Sequence, residues 1–213
     1  MQISAIEPIT KDRSRITLDS GESFILYKGE IRLLRLKEDD ELLPEVYNQI
    51  MTAILPKRAK LRLMNLLKTK PYTEYQLRKK LVEGGYPDSV TDIAVDYIKS
   101  YGYVNDRQYA IDFIKSQSTG HSKKEIYLKL SQKGIHKETL DAAFNEVYGE
   151  YKDACIDSPT DEIAVIKKTL LKRGFSGEET YEERQKMLAY FYRRGFEMDK
   201  VYAAMDEIKE YRN

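Results

Sequence analysis

Nine basic side chains crowd the stretch from Lys57 to Lys80: Lys57, Arg58, Lys60, Arg62, Lys68, Lys70, Arg78, Lys79 and Lys80. They stand against one acid, Glu74, for a net charge of +8. Cations at that density neutralise anions, phosphate foremost, and repel one another where no acid intervenes. Tyrosine accompanies them. The chain has 17 tyrosines, with Tyr72 and Tyr75 inside the basic run and Tyr190 and Tyr192 beside Arg193-Arg194. Rings interleaved with cations suit a nucleic-acid backbone with stacked bases, or a protein interface. The plainer alternative is a solvated helix face with half-buried tyrosines whose hydroxyls reach water. A patch of opposite sign follows, eight acids between Glu138 and Glu162 against Lys152 alone, a net −7. Partner contacts are expected from Arg58, Lys60, Arg62, Arg78, Lys79 and Lys80, together with Arg193 and Arg194.

Covalent chemistry is not expected. Gly84-Gly85 fits neither dinucleotide-binding nor P-loop spacing. Metal binding needs clustered Cys or His, and Cys155, His121 and His136 stand far apart in the sequence. Cys155 lies in an acidic stretch that would raise its pKa. The expectation is no catalytic residue, no cofactor and no metal, hence no enzyme. A single cysteine allows no internal disulfide and fits a reducing compartment. No stretch approaches the roughly 18–20 apolar residues that span a bilayer, and Met1-Gln2-Ile3-Ser4 lacks the regions of a signal peptide. The reading is a cytoplasmic protein, off the membrane and monomeric. The whole-chain charge of +1 singles out no partner.

Strands come first among the elements that position these residues. Ile16 and Leu18, then Phe24 and Leu26, alternate with polar neighbours around the turn residues Asp19-Ser20-Gly21. Ile3, Ile6 and Ile9 suggest a third, edge strand near Pro8. Residues 29–41 are left unassigned beyond an acidic loop at 38–41. Pro44 opens a helix with an apolar face of Tyr47, Ile50, Met51 and Ile54, and Pro56 is expected to end it.

From residue 57 the pattern is helical and repeats. Aligning Gly85, Gly134 and Gly195 places Leu81, Leu130 and Phe191 four residues before each glycine, and Ala94, Ala143 and Ala204 nine residues after it. Capping-box spacing recurs at Thr73/Gln76, Ser122/Glu125 and Thr180/Glu183. Gly102 should close one helix and Asp106 cap the next, which gives the junction residues Gly85, Gly102, Tyr103, Asp106, Gly134 and Gly195 a structural role. The expected organisation is a β element plus helix over 1–56, then three-helix repeats over 57–103, 104–150 and 158–213. The fold class is mainly α, tandem three-helix repeats in an elongated curved array, with a small N-terminal antiparallel β element.

The corner Leu81-Val82-Glu83-Gly84-Gly85-Tyr86, the junction from Gly102 through Tyr103, Asp106 and Tyr109 to Ala110, and the segment Leu130 to Ile135 resemble the RecX family of recombination regulators. Arg58-Ala59 through Leu66-Leu67, then Tyr75 to Leu81, are similar to that family's first repeat. The likeness covers residues 57–150 closely and 160–213 more loosely. It implies a bacterial protein that binds the RecA filament on single-stranded DNA and damps strand exchange, ATP hydrolysis and co-protease activity. The family has no catalytic residues to carry over. Single- and double-stranded DNA are further partners in view. The alternative reading is a sequence-independent DNA-binding helical module that does not act through RecA.

Overall fold

The computed structural model describes residues 1–149 and 162–211. The chain forms two compact units, Met1–Asn105 and Asp106–Asn213.

The first unit begins with strands β1 (Ile3–Pro8), β2 (Arg13–Leu18) and β3 (Ser23–Tyr27), an antiparallel sheet in the order β1-β2-β3. The predicted alternation sets the register, with Ile16 opposite both Ile6 and Phe24. Ile16, Leu18, Phe24 and Leu26 are buried, whereas Ile9 falls beyond β1 and is exposed. The acidic stretch has work that its composition does not reveal. The Glu38 carboxylate accepts the Ile6 N–H at 2.7 Å, and Ile3 exchanges backbone bonds with Asp39 and Asp40, so the free edge of β1 is covered.

The unassigned span holds helix α1 (Lys28–Leu33), whose Glu30 carboxylate accepts the Tyr27 N–H at 2.8 Å. Helix α2 (Pro44–Gln49) then runs through a π-helical turn, Ile50–Ile54, straight into α3 (Leu55–Leu67). Pro56 therefore does not end the helix. Its ring has no N–H to give and would crowd the carbonyl four residues back, but the widened π turn lies just before it and the proline sits in the first turn of α3. Helices α4 (Glu74–Val82) and α5 (Asp88–Ser100) follow. One core joins sheet and helices: Ile3, Leu18, Phe24 and Leu26 cluster with Leu63, Leu81, Ala94 and Ile98.

The second unit holds α6 (Asp106–Gln117), α7 (Lys123–Gln132), α8 (Lys137–Gly149), α9 (Glu162–Lys172), α10 (Tyr181–Arg193) and α11 (Met198–Glu210). Here α6 packs on α8 and α9 on α11, as α3 packs on α5 in the first unit. Two cores result, one around Ile114, Leu130 and Ala143, the other around Leu170, Phe191 and Ala204.

The aligned glycines are left-handed, with φ of 76° at Gly85, 81° at Gly134 and 74° at Gly195. In each case the next residue's N–H reaches back five residues: Tyr86 to Leu81, Ile135 to Leu130, Phe196 to Phe191. That is the Schellman closure, with its apolar contact supplied by the large side chain after the glycine. Gly102-Tyr103 closes α5 on Ile98 in the same way, and Gly174-Phe175 closes α9 on Leu170, a corner the alignment did not single out.

The helix starts differ more. Thr73 and Thr180 form complete capping boxes with Gln76 and Glu183. At Ser122 only half of the box forms. Its hydroxyl accepts the Glu125 N–H at 3.1 Å and donates to the Arg194 carbonyl at 2.6 Å, while the Glu125 carboxylate turns to Lys129 and His121. Asp106 is the first helical residue of α6, where a carboxylate favours the positive end of the helix dipole. Cys155, and the interval between the second and third expected repeats, lie outside the described residues.

Candidate interaction surface

The basic run does not act as one field. Arg58 points inward from α3: Nη1 pairs with Glu30 at 2.9 Å, Nη2 donates to the Ile25 carbonyl at 2.5 Å, and Cζ lies 4.7 Å from the Tyr27 ring. It brackets α3 to the β3–α1 junction. Arg78 spans Glu74 at 2.9 Å and Asp92 at 2.5 Å and so ties α4 to α5. Lys80 pairs with Glu83 at 2.9 Å. Three of these four acids, Glu30, Asp92 and Glu83, lie outside the 57–80 window, which is why counting along the chain found the charge uncompensated. Burial alone would raise the Glu74 pKa, but hydrogen bonds from Lys99 and Arg78 outweigh it and hold the carboxyl below its ordinary value.

What remains free on the first unit is smaller. Lys57, Lys68, Lys70 and Lys79 are exposed and form no ion pair among the described residues, Lys70 lying 5.0 Å from the Tyr72 ring. Lys60 holds its Nζ 4.4 Å from the Tyr97 ring, Tyr97 meets Tyr101 at 4.8 Å, and Tyr101 stacks on Tyr103 at 6.0 Å. Tyr101 and Tyr103 are more than half exposed. The structure thus brings Lys60 to a surface run of three tyrosines at the end of α5. Only Tyr103 of these was singled out, as a junction residue. The i, i+4 spacing of Tyr97 and Tyr101 was the available signal. Arg62 lies apart, against Gly84 and Tyr86.

On the second unit Arg193 is exposed, its Nε donating to the Ala189 carbonyl at 3.2 Å. Arg194 is half-buried, and its carbonyl takes the Ser122 hydroxyl. Its guanidinium lies 4.8 Å from the Tyr190 ring, and Arg173 lies 3.6 Å from the same ring. Arg173 escaped the sequence reading, although it and Arg194 both stand immediately before a helix-closing glycine. Tyr192, next to Arg193, is largely exposed. A groove of about 740 Å³ between α7 and α8 also went unnoticed, lined by Lys123, Lys124, Tyr127, Leu128 and Phe144 among others.

Buried Glu162 joins the second and third helical triplets. Its carboxylate accepts the Lys123 N–H at 3.1 Å and pairs with Lys200 at 2.8 Å. Burial beside that carboxylate pushes the Tyr148 phenol up to about 12. Burial would lower Lys200, but Glu162 and Glu197 outweigh it and raise its pKa. His121 is engaged with Glu125 at 2.9 Å. Among the described residues no group of three His, Cys, Asp or Glu could hold a metal ion, and no helix is long and apolar enough to cross a membrane. The arrangement offers cations and tyrosine faces for contact.

Comparison with known proteins gives a concordant picture. Residues 59–97 match the family described as RecX, first three-helix domain, and residues 161–205 match RecX, third three-helix domain. A regulatory protein RecX from Caldanaerobacter subterraneus subsp. tengcongensis is 30% identical over 192 residues, covering 90% of this chain and 91% of that protein. One from Clostridium beijerinckii is 27% identical, with 90% and 87% covered. The crystal structure of a regulatory protein RecX superposes with a TM-score of 0.61 at 23% identity, covering 96% of this chain and 98% of that one. RecX from Lactobacillus salivarius superposes at 0.57 and 18% identity, covering 73% and 97%. At such identities the two structures speak for the fold.

Proposed function

The chain belongs to the RecX family, and from that premise we propose that it is a regulator of RecA, binding the recombinase filament on single-stranded DNA and damping its strand exchange, ATP hydrolysis and co-protease activities. The observation that carries the reading is the near full-length relation to proteins named regulatory protein RecX. It acts by binding, as a cytoplasmic monomer that forms and breaks no covalent bond. The repeats over 57–103, 104–150 and 158–213 serve as its contact-bearing modules, with the β element of 1–56 supporting the first.

The free and ring-backed cations are the contact residues of this reading. Lys60 and Lys79 carry it on the first unit and Arg193 on the second, with Lys80 and Arg194 at their flanks. Arg58 and Arg78 contribute by holding the helices that present the others. Cations and tyrosine faces together meet acidic and aromatic groups of a protein, or phosphate and base. The test is co-sedimentation with RecA filaments of a triple variant, Lys60→Glu, Lys79→Glu and Arg193→Glu. The reading expects binding to fall about tenfold or more while the midpoint of thermal unfolding stays near that of the parent. Undiminished binding would reject the contact assignment.

A second reading is favoured by the Arg173–Tyr190–Arg194 stack beside exposed Tyr192: direct, sequence-independent binding to DNA. It expects affinity for naked DNA to fall by about 0.7–0.9 log unit per log salt for each phosphate neutralised.

A further inference from the structure

A pocket of about 450 Å³ opens on the first unit between β3, α3 and the corner after α4, lined by Tyr27, Arg58, Leu61, Arg62, Asn65 and Tyr86 among others. Two guanidinium groups border it on unequal terms. Arg58 is compensated by Glu30 and anchored on the Ile25 carbonyl. The Nε of each is buried without a partner, but Arg58 holds partners through both Nη atoms, whereas Arg62, one turn further along α3, forms no hydrogen bond or ion pair among the described residues. Glu83 lies within electrostatic reach of Arg62, but its carboxyl is held below its ordinary pKa chiefly by its hydrogen bond with Lys80. Both guanidinium groups reach the Tyr86 phenol, pulling down a pKa that burial raises more strongly.

Gly84-Gly85, which fits no phosphate-loop pattern, lies close behind this pocket, Gly84 against two of its lining residues. A Cβ on Gly84 would stand 3.3 Å from Arg62 Cζ and 3.2 Å from Tyr86 Cε2, and one on Gly85 would collide with the Ile25 side chain. Two glycines in succession let ring, guanidinium and strand close on the corner together.

The geometry points to a binding site for a nucleoside phosphate. A guanidinium that forms neither hydrogen bond nor ion pair calls for an oxyanion, and phosphate offers the paired oxygens that match the arginine fork. The other walls are not those of a simple anion site. Arg58 lies 4.7 Å from the Tyr27 ring and 5.9 Å from the Tyr86 ring, and Tyr27 is still 44% exposed. These faces suit a stacked base, Leu61 adds an apolar side, and the Asn65 amide can read a base edge. A carboxylate side chain would meet Arg62 and leave both rings unused. The volume falls within the range of roughly 300–1,000 Å³ usual for small-molecule pockets. The ligand is either a free nucleotide or one nucleotide of a single strand. The assignment goes beyond the regulatory reading: it takes up Arg62, expected from the sequence as a contact residue, and needs nothing from RecA.

The test titrates the full chain, with no RecA present, against deoxyadenosine monophosphate, deoxyadenosine, inorganic phosphate and a short oligodeoxyadenylate. Calorimetry gives affinities and the arginine Nε–H resonances report the site. Saturable binding is expected, tighter for the monophosphate than for phosphate or nucleoside alone, with the Arg62 resonance shifting. Arg62→Gln should weaken it by about tenfold or more and Asn65→Ala by less. A monophosphate that binds as tightly as one nucleotide of the oligomer identifies the free nucleotide, and the reverse identifies the strand; either supports the site. The assignment is overturned if phosphate alone binds as well as the monophosphate, if both variants bind like the parent, or if nothing saturates at millimolar ligand. Since RecA is absent, failure here leaves the regulatory reading standing, and loss of RecA regulation leaves this result untouched.

Discussion

Arg58 and Lys79 belong to one basic run and have opposite physical situations. Arg58 holds Glu30, a backbone carbonyl and two tyrosine rings. Removing it would leave a partly buried carboxylate without its partner, so Arg58→Ala should cost about 2 kcal/mol in urea unfolding, whereas Lys79→Ala should stay within about 0.5 kcal/mol. Equal effects would show that the bracket is idle. Glu74 gives a pH-dependent test. Its folded pKa is lowered, so the stability it contributes is present above the ordinary carboxyl range and disappears as pH falls through the folded value. Glu74→Gln should therefore destabilise the chain at neutral pH by about 1 kcal/mol, with the difference from the parent closing on acidification. A gap that widens towards acid would contradict the assigned direction. The sequence made the cations visible and their partners invisible, because Glu30 and Asp92 reach Arg58 and Arg78 only after folding.

At the scale of elements, the glycine corners were the most legible feature, since a left-handed residue followed by a large apolar one leaves a mark at fixed spacing. Gly85 adds a constraint the pattern does not carry, the close approach of Ile25. Gly85→Ala should cost about 2 kcal/mol or more, and Ile25→Ala introduced with it should recover the steric part and leave the cost of the positive φ. Strict additivity of the two substitutions would rule out the contact. Ser122 is the complementary case. Its cap was predicted from spacing, but its second bond, to the Arg194 carbonyl 72 positions away, has no local signature. Ser122→Ala should cost about 1–2 kcal/mol and speed amide exchange at the start of α7. Exchange that stays at the parental rate there would deny the cap. Pro56 misled for a different reason: a local rule against proline within helices holds until a π turn absorbs the clash, and residues 50–54 advertise no such turn.

For the whole molecule, the repeat and the strand alternation were enough to reach a mainly helical chain with a three-stranded antiparallel element, and the ordered motifs were enough to reach the RecX family. Contact surfaces were less legible. The Tyr97–Tyr101–Tyr103 run under Lys60 and the Arg173–Tyr190–Arg194 stack depend on how helix ends meet, which hydropathy along the chain does not encode. We propose that these surfaces regulate a RecA filament. The most direct measurement is RecA ATP hydrolysis on single-stranded DNA, titrated with this protein well below the RecA concentration. A fall in rate at substoichiometric dose is expected, as for a bound regulator that acts on many filament subunits. An unchanged rate at every dose, or a fall only once the protein has saturated the DNA, would contradict it.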